Sequence, residues 1–285
     1  MNTVFLDRPE GFDADTDSIA IIPVPYDKTS SWVKGADKGP AAIIDASGYV
    51  EWYDIQTRSQ IHERGIATRD AIECDDGPEA LAELVQSAVR REFEAGVFPV
   101  LLGGEHSISI GAIRAAAERH DDVTILQIDA HADTREDYHG SKCNHACVMA
   151  RAREVAPIVQ VGIRSIAPEE AATIDESRVV FAHEILRAQN DAWIERTLLK
   201  LSKKVYVTID LDAFDPSVVP ATGTPEPGGL SWLHVDKLLT AVAEKADVVG
   251  FDVVELCPAP GHHASAFTAA KLVTRFLSEI FSRRH

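Results

Sequence analysis

Seven short apolar runs rich in Val, Ile and Leu, at 19–24, 98–102, 123–128, 158–161, 179–181, 205–209 and 248–254, constrain this chain more than any other feature. They are apolar at successive positions instead of alternate ones, the pattern of strands buried on both faces of a parallel sheet. Between them lie segments with apolar spacing near 3.6, at 79–95, 108–119, 184–201, 232–246 and 264–281. Such alternation of strand and helix predicts an α/β fold, a mostly parallel sheet with helices on both faces.

At 285 residues the chain has room for one large α/β domain or two small ones, since domains run to roughly 100 to 200 residues. No linker rich in Pro, Gly or Ser divides it, so a single domain spanning 1–285 is expected, with an acidic N-terminal extension over 1–18. The formal charge of −17 argues against a nucleic-acid partner, whose affinity would come from clustered Lys and Arg. An acidic field favours cationic small molecules, although acidity can also serve solubility alone. Four cysteines are too few for a disulfide-stapled secreted scaffold. The start carries one Arg against five acidic residues, without the apolar run of a signal peptide, and no stretch is long enough to span a bilayer. A cytoplasmic protein without a membrane partner is expected.

Three polar clusters follow predicted strands. The run VTILQI leads into Asp129-Ala130-His131-Ala132-Asp133, where alternation in an extended chain would bring Asp129, His131 and Asp133 to one side. Alone, this is either a metal site or a polar loop in which Asp129 caps a helix. The run KVYVTI ends in Asp210-Leu211-Asp212, either a divalent-cation loop or a solvated turn, while Asp215-Pro216 reads as a turn device. Gly103-Gly104-Glu105-His106-Ser107 follows FPVLL; its glycines permit close backbone approach, and a lone His106 there is commonly structural. Neither a Walker spacing nor G-x-G-x-x-G is present, so phosphate cradling is a weak reading.

Because each cluster ends a predicted parallel strand, all three can face one edge of the sheet, and the long loops 134–144 and 212–230 leave from that edge. Four aspartates and two histidines would then surround a shared point. An oxygen-rich set with two imidazoles suits a hard to borderline divalent ion, and shared carboxylates suit two ions roughly 3.5 to 4 Å apart. Zinc would usually show fewer carboxylates, so a binuclear manganese site is the expectation.

GGEHS, DAHAD and DLDAFDP, in this order and spacing, resemble the ureohydrolase family, which includes arginase and agmatinase. The likeness runs from Pro23 to the C-terminal helix and includes Thr29, Lys38-Gly39-Pro40, Thr222-Gly223-Thr224-Pro225, Gly228-Gly229, Glu255 and Pro258. It implies a three-layer α/β/α domain with a mostly parallel central sheet, a homo-oligomer (trimer or hexamer) and two Mn2+ per subunit. One ion would be held by His106, Asp129, Asp133 and Asp210, the other by His131, Asp129, Asp210 and Asp212. Glu255 would hold the guanidinium, Asp133 would pass a proton to the leaving amine, and His145 would act as proton shuttle.

The implied activity is hydrolysis of a cationic guanidino compound to urea and an amine. In arginase-like relatives the loop after the shuttle histidine presents polar side chains to the amino-acid head group. Here His145 is followed by Ala146-Cys147-Val148-Met149, with few donors for a carboxylate, which favours decarboxylated agmatine and hence putrescine as product. Ala146 stands where many relatives have Gly and Lys34 where Arg is frequent. The segments around Ser31-Trp32-Val33-Lys34-Gly35 and Gly140-Ser141-Lys142 are similar to a subgroup that also contains N1-aminopropylagmatine ureohydrolases, the alternative, which would yield spermidine. A guanidinobutyrase is a further alternative, and a catalytically silent metal-binding scaffold is the reading from another class. Trp32 could contact an amine or pack its loop, Cys143 and Cys147 read as packing residues, His139 as a solvated loop residue, and His262 and His263 take no role.

Overall fold

The computed structural model describes residues 3–7 and 18–283. Among them are strands β1 (Ile19–Val24), β2 (Tyr53–Asp54), β3 (Ser59–Gln60), β4 (Ile66–Thr68), β5 (Phe98–Gly103), β6 (Val123–Ile128), β7 (Ile158–Ile163), β8 (Val179–Phe181), β9 (Lys204–Asp210) and β10 (Asp247–Val254). The α-helices are α1 (Gly39–Ser47), α2 (Pro78–Ala95), α3 (Ser109–Arg119), α4 (Val148–Ala152), α5 (Pro168–Ala171), α6 (Ala182–Arg187), α7 (Ala192–Leu198), α8 (Trp232–Lys245) and α9 (His263–Ser282). Eight strands form one sheet in the order β4-β1-β5-β10-β9-β6-β7-β8, and β2 pairs with β3 in a separate hairpin. Every pairing in the large sheet is parallel.

Burial explains the continuous apolar runs. On β1, Ile19 and Ile21 enter the core shared with α1, α8 and α9, while Ala20 and Ile22 enter the core shared with α2, α3 and α4. Both faces of the sheet are therefore covered, giving the three-layer α/β/α fold expected from the sequence. The helices are amphipathic in the same sense: α2 buries Leu81, Ala82, Val85 and Val89 along one face.

Beyond the short β2–β3 hairpin and helices α4 and α5, three features differ from the sequence reading. Edge strand β4 has only three residues, too few for a period to show. Helix α1 lies outside the five helical segments expected from the sequence; it begins at Gly39-Pro40, with Pro at the first turn, where its missing N–H costs nothing. The segment 184–201 is two helices, α6 and α7, parted where Ala188 turns extended and Asn190 Oδ1 accepts a bond from Ala192 N at 3.1 Å. Of the N-terminal segment 1–18, only 3–7 and 18 lie within the described residues. There Phe5 and Leu6 are buried, and their amides donate to Thr68 Oγ1 (2.9 Å) and Ser47 Oγ (2.8 Å).

Candidate metal centre and active site

The polar clusters gather at the C-terminal edge of the sheet, where β5, β6, β9 and β10 end side by side. Paired glycines make the first turn possible. A Cβ on Gly104 would lie 2.0 Å from the Tyr26 carbonyl oxygen, so nothing larger than hydrogen fits there. The chain then turns into α3 and aims His106 inward.

His106 Nδ1 lies 3.1 Å from Asp129 Oδ2, 3.0 Å from Asp133 Oδ2 and 3.5 Å from Asp210 Oδ2. His131 Nδ1 lies 2.9 Å from Asp212 Oδ2 and 3.7 Å from Asp129 Oδ1. Two sets of donor atoms close within 4.8 Å: His106 with Asp129 and Asp210, and His131 with Asp129 and Asp212. Asp129 belongs to both. Asp210 falls in the first set only, its Oδ1 accepting a bond from Asp212 N at 2.8 Å. Simple extension does not explain Asp133, whose φ of 52° places it in the left-handed region. Glu255, just beyond β10, has φ 64°; strained backbone at both positions is what functional sites commonly hold.

The electrostatics call for cations. Burial, then the Asp212 charge, pushes Asp129 up to about 7. Burial followed by Asp212 and Asp129 raises Asp210 well above the carboxylate range. Burial opposes charge on His106 and His131, yet neighbouring carboxylates win. The carboxylates of Asp129 and Asp133 lift His106 well above its usual value, and Asp212 lifts His131 to about 10. Asp212 is held at about 2, the His131 charge overcoming its burial. His106 Nδ1 is a buried polar atom without a hydrogen-bond partner among three carboxylate oxygens. Such an orphan within a carboxylate cage fits a bound divalent ion.

A cleft of about 300 Å³ opens above this cluster, bordered by His131, Asp133, His145, Asp210, Asp212 and Glu255. Glu255 Oε1 accepts from His106 N at 2.7 Å, and burial followed by the charge of Glu105 raises its pKa well above the carboxylate range. His145 is held from both sides. Its Nδ1 lies 3.0 Å from Thr29 Oγ1 and its Nε2 lies 3.1 Å from Ser31 Oγ. Thr29 gives its own hydroxyl proton to Glu105 Oε1 at 2.5 Å, so Nδ1 is the protonated nitrogen of His145 and Nε2 keeps its lone pair. Burial lowers the pKa of His145 against the pull of Asp133 and Glu105.

Several residues at this site escaped the sequence reading. Glu105 is fully buried and accepts bonds from Thr29, Ser30 and Ser107, tying the β1 loop to the floor of the cleft. Arg164 follows β7 and clamps the 212–230 loop through the carbonyls of Asp212 and Glu226 (2.7 Å each), Pro227 (3.2 Å) and Phe214 (3.3 Å). An acid inside a glycine turn and an arginine at a strand end were the available signals. Arg135 and Tyr138 stack on one another in the cleft wall, with the guanidinium 4.7 Å from the ring centre.

The segment after His145 does not line the cleft as the sequence suggested. Cys147, which caps α4, and Val148 and Met149, which open it, are buried, and only Ala146 reaches the cleft. They pack the core and cannot select a substrate head group. Asp215 is the turn device expected, accepting from Ser217, Gly228 and Gly229. Trp32 is 71% exposed at the cleft mouth, His262 and His263 are exposed, and Cys143 and Cys147 are buried free thiols.

A parallel α/β sheet carrying two carboxylate–imidazole clusters that share an aspartate defines a metal-dependent hydrolase scaffold. The chain belongs to the Arginase family, whose profile matches residues 17–278. It is similar to the N(1)-aminopropylagmatine ureohydrolase of Synechocystis sp., 37% identical over 271 residues, covering 91% of this chain and 88% of the relative. The agmatinase of Pyrococcus horikoshii is 34% identical over 270 residues, covering 91% and 90%. A crystal structure titled agmatine ureohydrolase of Thermoplasma volcanium superposes with a TM-score of 0.86 at 35% identity, covering 93% of this chain and 90% of that one. The protein is thus an agmatinase-like ureohydrolase of a family that uses a binuclear metal centre.

Proposed function

We propose that this enzyme hydrolyses agmatine to putrescine and urea with two Mn2+ bound at the sheet edge. The observation that carries the reading is the pair of clusters sharing Asp129 beneath a cleft whose wall ends in Glu255. His106, Asp129, Asp133 and Asp210 would hold one ion; His131, Asp129, Asp210 and Asp212 would hold the other. When bound, two such ions lower the pKa of water enough to supply a hydroxide nucleophile at neutral pH.

The side chains do the rest. The Glu255 carboxylate receives the guanidinium and orients its carbon toward the cluster, as a buried acid with a raised pKa gains most from a cationic partner. Asp133, next to His106, holds the nucleophile's proton and hands it to the departing amine. His145 exchanges protons at Nε2, the nitrogen facing Ser31 and the cleft. Agmatine, a dication, also suits a cleft lined by Asp133, Glu170, Asp210, Asp212 and Glu255, in which Arg135 is already paired with Glu169 at 3.3 Å.

One observation favours a longer amine as the second reading: the cleft opens past exposed Trp32, leaving space for an aminopropyl extension, as in the substrate named for the Synechocystis relative. We also read the protein as a cytoplasmic homo-oligomer. The oligomer is what the family likeness implies, and no helix among the described residues is long and apolar enough to cross a membrane. The test is urea release with Mn2+ on agmatine, N1-aminopropylagmatine, 4-guanidinobutyrate and arginine. Agmatine is expected to give the highest kcat/KM; a higher value for aminopropylagmatine selects the second reading, and no urea from any of the four ends both.

A further inference from the structure

Behind His106, on the side away from the cleft, lies a fully buried polar chain that no part of the proposed chemistry uses. His106 Nε2 is 2.8 Å from Thr208 Oγ1, and Thr208 Oγ1 is 2.6 Å from Asp252 Oδ1. Tyr206 donates its hydroxyl to the other oxygen, Asp252 Oδ2, at 2.8 Å. Thr208 and Tyr206 sit on β9, Asp252 on β10 and His106 before α3, all at 1% exposure or less. The position of Asp252, the one charged residue in the buried part of β10 (VVGFDVV), would be filled more cheaply by Val or Leu if packing were its only task.

The directions of these bonds are fixed by proton bookkeeping. Thr208 has one hydroxyl hydrogen and three neighbours that could receive it, Asp252 Oδ1 at 2.6 Å, His106 Nε2 at 2.8 Å and Ser109 Oγ at 3.3 Å. The short contact to a carboxylate is the stronger acceptor. Thr208 Oγ1 must then accept from His106, which keeps a proton on Nε2, so the lone pair the ring can offer a metal ion is the one on Nδ1. Nδ1 is the atom that faces Asp129, Asp133 and Asp210 without a hydrogen-bond partner. We propose that Asp252 and Thr208 are positioning residues for the His106 side of the metal centre: Asp252 orients the Thr208 hydroxyl, and Thr208 locks His106 in the tautomer that ligates through Nδ1.

The inference rests on reading His106 as a metal ligand and says which buried groups make it one. Partners of this kind set the ring orientation and basicity of a ligating histidine, and losing one typically costs 10- to 100-fold in metal affinity. The chain contacts only the His106 cluster, so its loss should weaken one ion and spare the other. A mere packing defect would weaken both.

The experiment titrates Mn2+ into the metal-stripped protein, read by calorimetry and by the paramagnetic resonance signal that separates paired from single Mn2+. Thr208→Val removes the hydroxyl, Thr208→Ser keeps it, and Tyr206→Phe strips one donor from Asp252 while leaving the Thr208–His106 arm intact. His106→Ala, which should delete one binding event, reports on the ligand itself. Thr208→Val and Asp252→Asn should weaken one of the two ions by about 10- to 100-fold, with Thr208→Ser and Tyr206→Phe close to wild type. Wild-type affinity for both ions in Thr208→Val, while His106→Ala loses one, overturns the inference. Equal weakening of both ions, or failure of Thr208→Ser to restore binding, overturns it too. Two undiminished binding events in His106→Ala would instead remove His106 as a ligand, and the inference with it.

Discussion

Asp129 is the residue on which both halves of the site depend, because its two carboxylate oxygens face different histidines. Asp129→Asn should remove both Mn2+ and lower urea production by about 10³-fold, as expected when several kcal/mol of charge stabilisation disappear. Metal content by mass spectrometry and the rate should fall together; a variant that keeps both ions would refute the shared-ligand assignment. His145 makes a different prediction, since it touches no member of either cluster in the structure. His145→Asn should lower kcat by about 10²- to 10⁴-fold at unchanged Mn2+ stoichiometry, and a wild-type kcat would exclude it as proton shuttle. At this scale the sequence was legible where chemistry needs several uncommon residues at fixed spacing, as in DAHAD. It was silent on Glu105, Thr208 and Asp252, whose work is done through hydrogen bonds to residues far along the chain. It misled at Val148 and Met149, because a polar-poor segment beside a catalytic residue looks the same whether it lines a cleft or starts a buried helix.

Between residue and molecule stand the loops that carry the ligands, and Arg164 shows how one is held. Its guanidinium gathers carbonyl oxygens from Asp212 to Pro227, so the loop after β9 takes its shape from a side chain on the neighbouring arm. Arg164→Met should leave those carbonyls to water or to nothing, costing about 1 to 3 kcal/mol and lowering Tm. It should also weaken the ion on the His131 side, because Asp212 lies at the clamped end. Unchanged Tm and Mn2+ affinity would show that the loop holds itself. The long elements were readable because α2, α3, α8 and α9 repeat a buried stripe over several turns. Short β4 and the break between α6 and α7 were not, since three residues carry no period and a two-helix corner keeps the spacing of one helix.

For the whole molecule, the acidity read first as a charge of −17 has a concentrated part in the ligand cluster, and that part links stability to pH. Asp129 titrates at about 7 in the metal-free fold against 3.8 in an ordinary Asp, burial being the first cause and Asp212 the next. Between those values the fold holds a proton that the unfolded chain has lost, so this contribution declines as pH rises through the window. His131, raised from 6.5 to about 10 by Asp212 against its burial, contributes stability that is full below 6.5 and is lost towards 10. Both groups act in the same sense. Bound Mn2+ requires the deprotonated ligands and should reverse it. Scanning calorimetry from about pH 6 to about pH 8.5 should show metal-free Tm falling while the Mn2+-induced gain in Tm grows; a gain that shrinks with pH would contradict these shifts. The parallel, doubly covered sheet was foreseeable from apolar runs alone, but the order of its strands was not, because neighbours are chosen by packing across long separations. That order bears on how the protein is made. The central pair, β9 and β10, is synthesised last of all the strands, between arms β4-β1-β5 and β6-β7-β8 that the ribosome has already released. Until then each arm offers an unpaired inner edge, β5 on one side and β6 on the other, open to mispairing with another nascent chain. The C-terminal third of the polypeptide is the keystone that closes those edges, and the metal centre can come into being only with it.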